Sequence, residues 1–559
     1  MKFKSPLAAW ALALITSLLV AACGGGGNVP ATGVQLRPLS ADFTKKAVSY
    51  SPYRTAINNA DLVNEIIPES NIKQDLDLMV AAGFGMIRVF DSSDKVARQT
   101  LKLIRQHAMP IKMQLGIYVQ SGNEAFSQQE IARGIALANE YSDIVIGVSV
   151  GNETMVSWSF NKIPVDTMIG YIKQVRAAVT QPVTTDDNYA LFASAPRELI
   201  DVLDYVALHT YPELDTVFDP GLWDWRQANV PEAQRAQAMI NAAIAEANRQ
   251  YLMARDRLDS SGFSAMPIII GETGWNAVDL GALKFRAHPV NQKMYYDALL
   301  QWADKTRNPG GPLNVIYFEA FDEPWKLGDD RWGLWNVNRE ARYVIKDLNP
   351  PSATWKVEAG NYTAADAVFF VPPVINAAVT QDRYVIYSEA VTASELRPTG
   401  LVWDPFVKTF WQPVSGGAPG DGAQAFEIDP RNEVWGWGML YQSRPGVTEN
   451  LSNYASGTLN FSIRSNYAQK IEIGISTETE LDGPVEAFIQ LSSGQYGYCN
   501  NNEWCQVSIP LQAFVTANPK IDLRMVLSRF VIADRFAVTG NAQKANLPKL
   551  YLDGVYWAR

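Results

Sequence analysis

Between residues 47 and 350 short β-rich runs alternate with stretches whose apolar residues recur at helical spacing, and the alternation repeats eight times. The runs are residues 47–50, 86–90, 111–118, 144–150, 183–185, 205–209, 267–270 and 315–318. Segments such as 72–82, 94–107, 130–141, 165–179, 232–252 and 291–305 carry the helical pattern between them. Strands separated by helices pair in parallel, because a parallel partner is reached only through a crossover of about a dozen residues or more. Eight such units predict an α/β fold, a (β/α)8 TIM barrel, whose active site lies where the C-terminal ends of the strands open into loops.

That rule directs attention to the residues just beyond each run. After the fourth run the text is DIVIGVSVGNETM, so Asn152 and Glu153 fall at the rim; after the seventh it is MPIIIGETGWN, which puts Glu272 in the corresponding place. Two carboxylates facing across a barrel mouth suit glycosidic bond cleavage, which proceeds with retention when the carboxyl groups stand about 5–5.5 Å apart. A single Glu at a strand end reads better as a salt bridge or helix cap, but two at the fourth and seventh strands favour the catalytic reading. Before turnover one of the two must carry a proton and the other must not. Asp91 and Asp186 end the second and fifth runs, open between binding sugar hydroxyls and capping loops. His209 ends the sixth, open between a satisfied core histidine and a substrate ligand. Residues 147–151 also fit G-x-S-x-G, yet Ser149 lies inside a strand pattern and not at the strand-to-helix turn that motif requires.

The segments VGNE, GETGWN and FEAFDEPWK, in this order and at these strand ends, resemble glycoside hydrolase family 17, the β-1,3-glucanases and β-1,3-glucanosyltransferases, over residues 45–350. The resemblance implies that Glu153 is the acid/base, Glu272 the nucleophile of a covalent glycosyl-enzyme, and Asn152 a ligand of the sugar 2-hydroxyl. It also implies that Tyr211, in HTYP, lies close to the nucleophile, and that Glu323 and Lys326 form an accessory pair; a plain ion pair bracing the last loop is the competing reading for these two. Asn276 departs from the pattern, since many members have Pro there, and leaves the shape of that loop open. Hydrolysis and transglycosylation use the same residues, and a non-catalytic glycan-binding lipoprotein is the alternative of a different class. Tyr53, Tyr118, Trp158, Trp223, Trp225, Trp275, Trp325, Trp332 and Trp335 fall in the same loops, open between core packing and platforms for sugar faces. Trp275 and Trp325 are favoured as platforms because they adjoin Glu272 and Glu323.

Composition narrows the chemistry further. Three scattered His and three Cys without a Cys-x-x-Cys pair argue against a zinc centre, so catalysis is expected to need no cofactor. A formal charge of -10 argues against a nucleic-acid partner. A charged start, an apolar stretch and Val20-Ala21-Ala22-Cys23 read as a signal peptide over 1–22 with a bacterial lipobox. Cys23 would then be lipidated, with 23–44 a tether and the protein exported to the outer membrane or cell surface, its periplasmic face included. Residues 351–380 read as a linker, and 381–559 as an all-β sandwich resembling carbohydrate-binding domains. Its runs are 383–387, 457–463, 470–475, 486–491, 505–510, 529–533 and 549–557. Trp403, Trp411, Trp435, Trp437, Tyr496 and Tyr498 are candidates for a glycan platform, and Glu389, Asp404, Glu427 and Asp553 for a structural Ca²⁺ site. Cys499 and Cys505, close in sequence in an exported chain, are expected to form a disulfide. The expected partners are a β-glucan and, through the anchor, a membrane, with the protein a monomer.

Overall fold

The computed structural model describes residues 35–326, 331–348, 355–390, 401–407, 410–430, 437–443, 447–479, 484–535 and 547–559. Cys23 therefore lies outside the described residues. Eight parallel strands close a barrel in sequence order: β1 Ala47–Ser49, β2 Met86–Val89, β3 Lys112–Ile117, β4 Val145–Asn152, β5 Val183–Asn188, β6 Val206–His209, β7 Ile268–Thr273 and β8 Val315–Tyr317. Each coincides with a run expected from the sequence. Ser149 sits within β4, so the G-x-S-x-G match has no sharp turn to expose it.

Because side chains alternate along a strand, the barrel interior is layered. At the bottom Phe43 plugs an apolar layer of Ala47, Met86, Tyr205, Ala207, Ile269 and Ile316, its ring edge-on to Tyr205 at 5.4 Å. Two residues further along β2 comes Arg88, paired in register with Ser49 and Gln114, and the interior turns polar toward the rim. Helices such as Glu69–Ala81, Glu124–Glu140 and Pro289–Ala303 bury one side against the strands. Among the described residues no helix is long and apolar enough to cross a membrane.

The stretch expected to be a linker is in part barrel structure. Trp355 and Phe370 are buried in the barrel core, Trp355 edge-on to Trp335 at 5.7 Å and Phe370 edge-on to Trp225 at 5.8 Å. Asn291 exchanges two hydrogen bonds with the Val368 backbone. Two apolar anchors separated by irregular chain carry no periodicity, so sequence reading passes over them.

The remaining strands are β9 Arg383–Tyr387, β10 Leu401–Val407, β11 Phe410–Ser415, β12 Gln424–Asp429, β13 Trp437–Ser443, β14 Thr458–Arg464, β15 Ile471–Thr477, β16 Val485–Leu491, β17 Trp504–Pro510, β18 Val526–Asp534 and β19 Leu550–Ala558. They form two antiparallel sheets, β10-β13-β18-β15-β16 and β11-β12-β19-β14-β17, with β9 also pairing β19. Four of these strands, β10 to β13, were not expected. Pro405 and Pro413 argue against strands in the sequence, yet β10 and β11 are edge strands, where a missing N–H costs no ladder bond. Cys499 and Cys505 are disulfide-bonded, with Cα atoms 5.8 Å apart.

Candidate active site

The barrel rim gathers the two glutamates as the sequence suggested. Glu153 follows β4 in a left-handed conformation (φ 47°), held by its own N–H, which donates to the Asp186 carbonyl at 2.9 Å. Its side chain is over a third exposed, so it faces the open mouth. Glu272, near the end of β7, is nearly enclosed. His209 Nδ1 lies 2.9 Å from Glu153 Oε1 and 3.7 Å from Glu272 Oε2. The nearest carboxylate oxygens can thus be no farther apart than those two distances laid end to end, so both carboxylates serve one space at the barrel mouth.

Glu272 is surrounded by donors. Arg88 Nη1 binds Oε1, and the Tyr211 hydroxyl donates to Oε2 at 2.8 Å. Burial alone would raise the acid's pKa, but the His209 and Arg88 cations and these hydrogen bonds hold it down to about 2, so the carboxylate is ionised and ready to attack. His209 moves the other way. Burial disfavours its charge, but Glu272, Asp186 and Glu153 around it raise it to about 10. The histidine left open by the sequence is therefore a cation between the two carboxylates.

Sequence reading missed Arg88, which the structure makes central. Its Nη2 donates to Asn152 Oδ1, and its Nε lies 3.3 Å from Asp186 Oδ1. Asp186, fully buried, also accepts from Gln114 Nε2 at 2.8 Å and lies 3.5 Å from His209 Nε2. It braces both cations and does not cap a loop. The available signal was an arginine in an otherwise apolar strand, on the face that points into the barrel.

At the end of β8, Glu323 and Lys326 form an ion pair at 2.5 Å, with the Trp325 indole N–H 3.3 Å from Glu323. Sequence reading also missed Glu319, whose carboxylate lies 4.0 Å from Lys326. Burial and the neighbouring Glu323 push the Glu319 carboxyl well above the usual range, so it is protonated beside an ionised Glu323. Tyr53 is buried with Lys95 5.1 Å from its ring centre, Tyr118 packs edge-on to Phe126, and Asp91 accepts from the Ser93 N–H at 2.8 Å as a loop cap. Trp158 is well exposed and Trp325 half-buried.

Several aromatics expected as platforms belong to the core. Trp275 is wholly buried, its N–H donating to the Arg286 carbonyl at 2.9 Å and its ring packed on Tyr295, so neither face is free for a sugar. Trp223, Trp225, Trp332 and Trp335 are buried too, and Trp332 supports Tyr211 edge-on at 5.4 Å. A large ring beside a catalytic residue in sequence can point away from it, since the chain turns out of β7 after Thr273 and carries the Trp275 ring under the loop. In the sandwich, Trp437 and Tyr498 are likewise buried, while the side chains of Trp403, Trp411 and Trp435 lie outside the described residues.

Of the four Ca²⁺ candidates, three have described side chains. Glu427 is drawn to Lys549 at 2.8 Å, and the Asp404 side chain lies outside the described residues. Glu389 accepts from the Gln424 N–H and Asp553 from the Ala418 N–H. Among the described residues no three His, Cys, Asp or Glu side chains converge on a metal position.

Residues 47–336 match the model of the BtgE/BtgC glycoside hydrolase domain, and residues 408–556 that of carbohydrate binding domain 30. A glucan 1,3-beta-glucosidase of Arthroderma benhamiae is 22% identical over 294 residues, 49% of this chain and 84% of that protein. A probable glucan endo-1,3-beta-glucosidase, btgC, of Aspergillus clavatus is 22% identical over 309 residues, 50% of this chain but only 39% of its own length. Among solved structures, an endo-laminarinase from Formosa Hel1_33_131 superposes with a TM-score of 0.52 at 23% identity, over 61% of this chain and 97% of that one, which bears on the fold alone. The family match spans more than half of the chain and contains both rim glutamates, so this protein belongs to the BtgE/BtgC glycoside hydrolase family and is a glycosidase.

Proposed function

We propose that the chain cleaves β-1,3-glucan with retention, Glu272 attacking the anomeric carbon and Glu153 serving first as acid and then as base. The observation that carries this is the shared His209 contact, hydrogen-bonded to Glu153 and within ion-pair reach of Glu272, while Glu272 remains charged. In the first step the Glu272 carboxylate forms a bond to the anomeric carbon, the glycosidic C–O bond breaks, and Glu153 gives its proton to the departing oxygen. The ester uncharges Glu272, and Glu153, now a carboxylate, takes a proton from the incoming hydroxyl group as that oxygen bonds the anomeric carbon and the ester C–O bond breaks, which returns Glu272 as a carboxylate. Water as acceptor gives hydrolysis; a sugar hydroxyl gives transfer. Asn152, oriented by Arg88, offers its NH₂ to the 2-hydroxyl, and the Lys326–Glu323 pair offers polar contacts at the neighbouring rim. The glucan linkage is supported by the names of the related enzymes.

The carbohydrate binding domain 30 match supports a sandwich that holds the same polysaccharide near the barrel. The lipobox-like leader supports export and anchoring through Cys23. Purified protein on laminarin, with products sized by chromatography, tests activity and linkage together. Only shorter products mean hydrolysis, and longer ones mean transfer. Glu272→Gln should lower turnover by several orders of magnitude with binding to insoluble β-1,3-glucan retained; an unchanged rate would remove Glu272 from the nucleophile role, and binding without any turnover by the unmodified protein would leave only a glycan-binding role.

A further inference from the structure

Asn276 is the one position where the GETGWN segment departs from the family pattern it resembles, and the structure gives that departure a use. The Asn276 backbone N–H donates to Glu213 Oε2 at 2.7 Å, a fully buried contact. Glu213 lies two residues after Tyr211, in the first turn of the helix Pro212–Phe218 that follows β6. Asn276 lies four residues after Glu272, on the loop that follows β7. A second contact joins the same two segments, since Arg286 Nη1 bonds Thr216 Oγ1 from the β7 loop to the β6 helix. The Trp275 indole fastens to the Arg286 carbonyl beneath them. A proline at 276 has no N–H and would leave a buried carboxyl oxygen without its donor.

We infer that Glu213 and the Asn276 amide form a latch between the β6 and β7 loops that positions Tyr211 against the Glu272 carboxylate, making Glu213 a positioning residue for the nucleophile. The inference rests on the assignment of Glu272 as nucleophile. The Tyr211 ring packs edge-on to Phe318 at 6.1 Å and Trp332 at 5.4 Å, and its backbone is held by the Thr210 N–H on the Glu272 carbonyl and by the Asp215 N–H on its own carbonyl. The latch supplies a directed bond two residues from the tyrosine. A shift of about an ångström at Tyr211 would lengthen its 2.8 Å hydrogen bond past useful range. Burial pushes the Glu213 carboxyl up to about 8, so it accepts from Asn276 near neutral pH without placing a second charge behind the site.

The test compares Glu213→Leu, which removes the acceptor, with Glu213→Gln, which keeps one, each alone and in a Tyr211→Phe background. Rates are measured on laminarin-oligosaccharides, with melting temperatures recorded for every variant. A hydrogen bond to a charged acceptor carries roughly a tenfold to hundredfold effect. Glu213→Leu is expected to lower kcat about tenfold with KM within about twofold, and Glu213→Gln to restore most of kcat. In Tyr211→Phe the Leu substitution should cost less than about twofold, because there is no hydroxyl left to position. Equal losses in both backgrounds, or equal losses for Leu and Gln, overturn the latch. If the Leu variant does not fold, Asn276→Pro against Asn276→Ala isolates the backbone contact: both lose the side-chain contact to Glu213, and only the proline also deletes the backbone N–H. Hydrogen exchange over residues 274–280 needs no substrate: exchange should rise in the Leu variant and stay low in the Gln variant. If the unmodified protein does not cleave laminarin, the functional reading fails and hydrogen exchange alone decides the latch. If it does cleave laminarin and Glu213→Leu matches it, the latch fails while the function stands.

Discussion

Replacing Arg88 by methionine tests the electrostatics of the site, because the side chain keeps its bulk and loses its charge. Arg88 is a buried cation that contacts two buried carboxyl groups at once, Glu272 and Asp186. Removing Arg88 leaves one uncompensated negative charge in a buried space, at a cost of about 3–5 kcal/mol. For a barrel of about 300 residues the unfolding entropy is ~0.6 kcal/mol/K, so the melting temperature should fall by ~5–8 °C at neutral pH. The unpaired charge is relieved by protonating Glu272, whose pKa must therefore climb from about 2. In the unmodified protein the depressed carboxyl adds stability that is full above its ordinary value of 4.5 and fades as pH falls toward about 2. In Arg88→Met that acid dependence should flatten, and the acid limb of kcat/KM should move up in pH. Calorimetry between pH 3 and 8 and a kcat/KM profile measure both. A folded variant with an unshifted acid limb and a melting temperature within about 1 °C would refute the reasoning.

Further outcomes follow from other contacts. His209, raised to about 10 from 6.5, contributes stability that is full below pH 6.5 and is lost as pH rises toward 10; melting temperatures over that window should fall, and His209→Gln should make the curve flatter. Glu153→Ala should cost several orders of magnitude on laminarin yet much less on an aryl glucoside whose leaving group needs no proton; equal losses on both would remove Glu153 from the acid role. Reducing the Cys499–Cys505 bridge, which closes a loop of only six residues' separation, should destabilise the sandwich by about 2 kcal/mol and leave barrel turnover of short oligosaccharides unchanged, as read by two-transition calorimetry and rate assays.

The barrel was legible in the sequence because its signal is periodic: all eight expected runs coincide with strands, and strand ends dictate where the rim lies. Glu153 and Glu272 followed from that rule, as did the proximity of Tyr211 to the nucleophile. Periodicity says nothing about edges, so β10 and β11, with Pro405 and Pro413, were passed over until pairing showed that each has one free side. It is equally silent on direction. Trp275 stands three residues from the nucleophile and turns wholly into the core, whereas Arg88, 184 residues away, touches it.

The sequence by itself determined the strand order, the family and the two carboxylates, because each is written in local runs of residues. Tertiary structure alone decided the charge state of the site, since that depends on Arg88, Asp186 and His209 arriving from three different strands into a buried space. A carboxylate's pKa is a property of its surroundings, and a chain acquires surroundings only when it closes on itself.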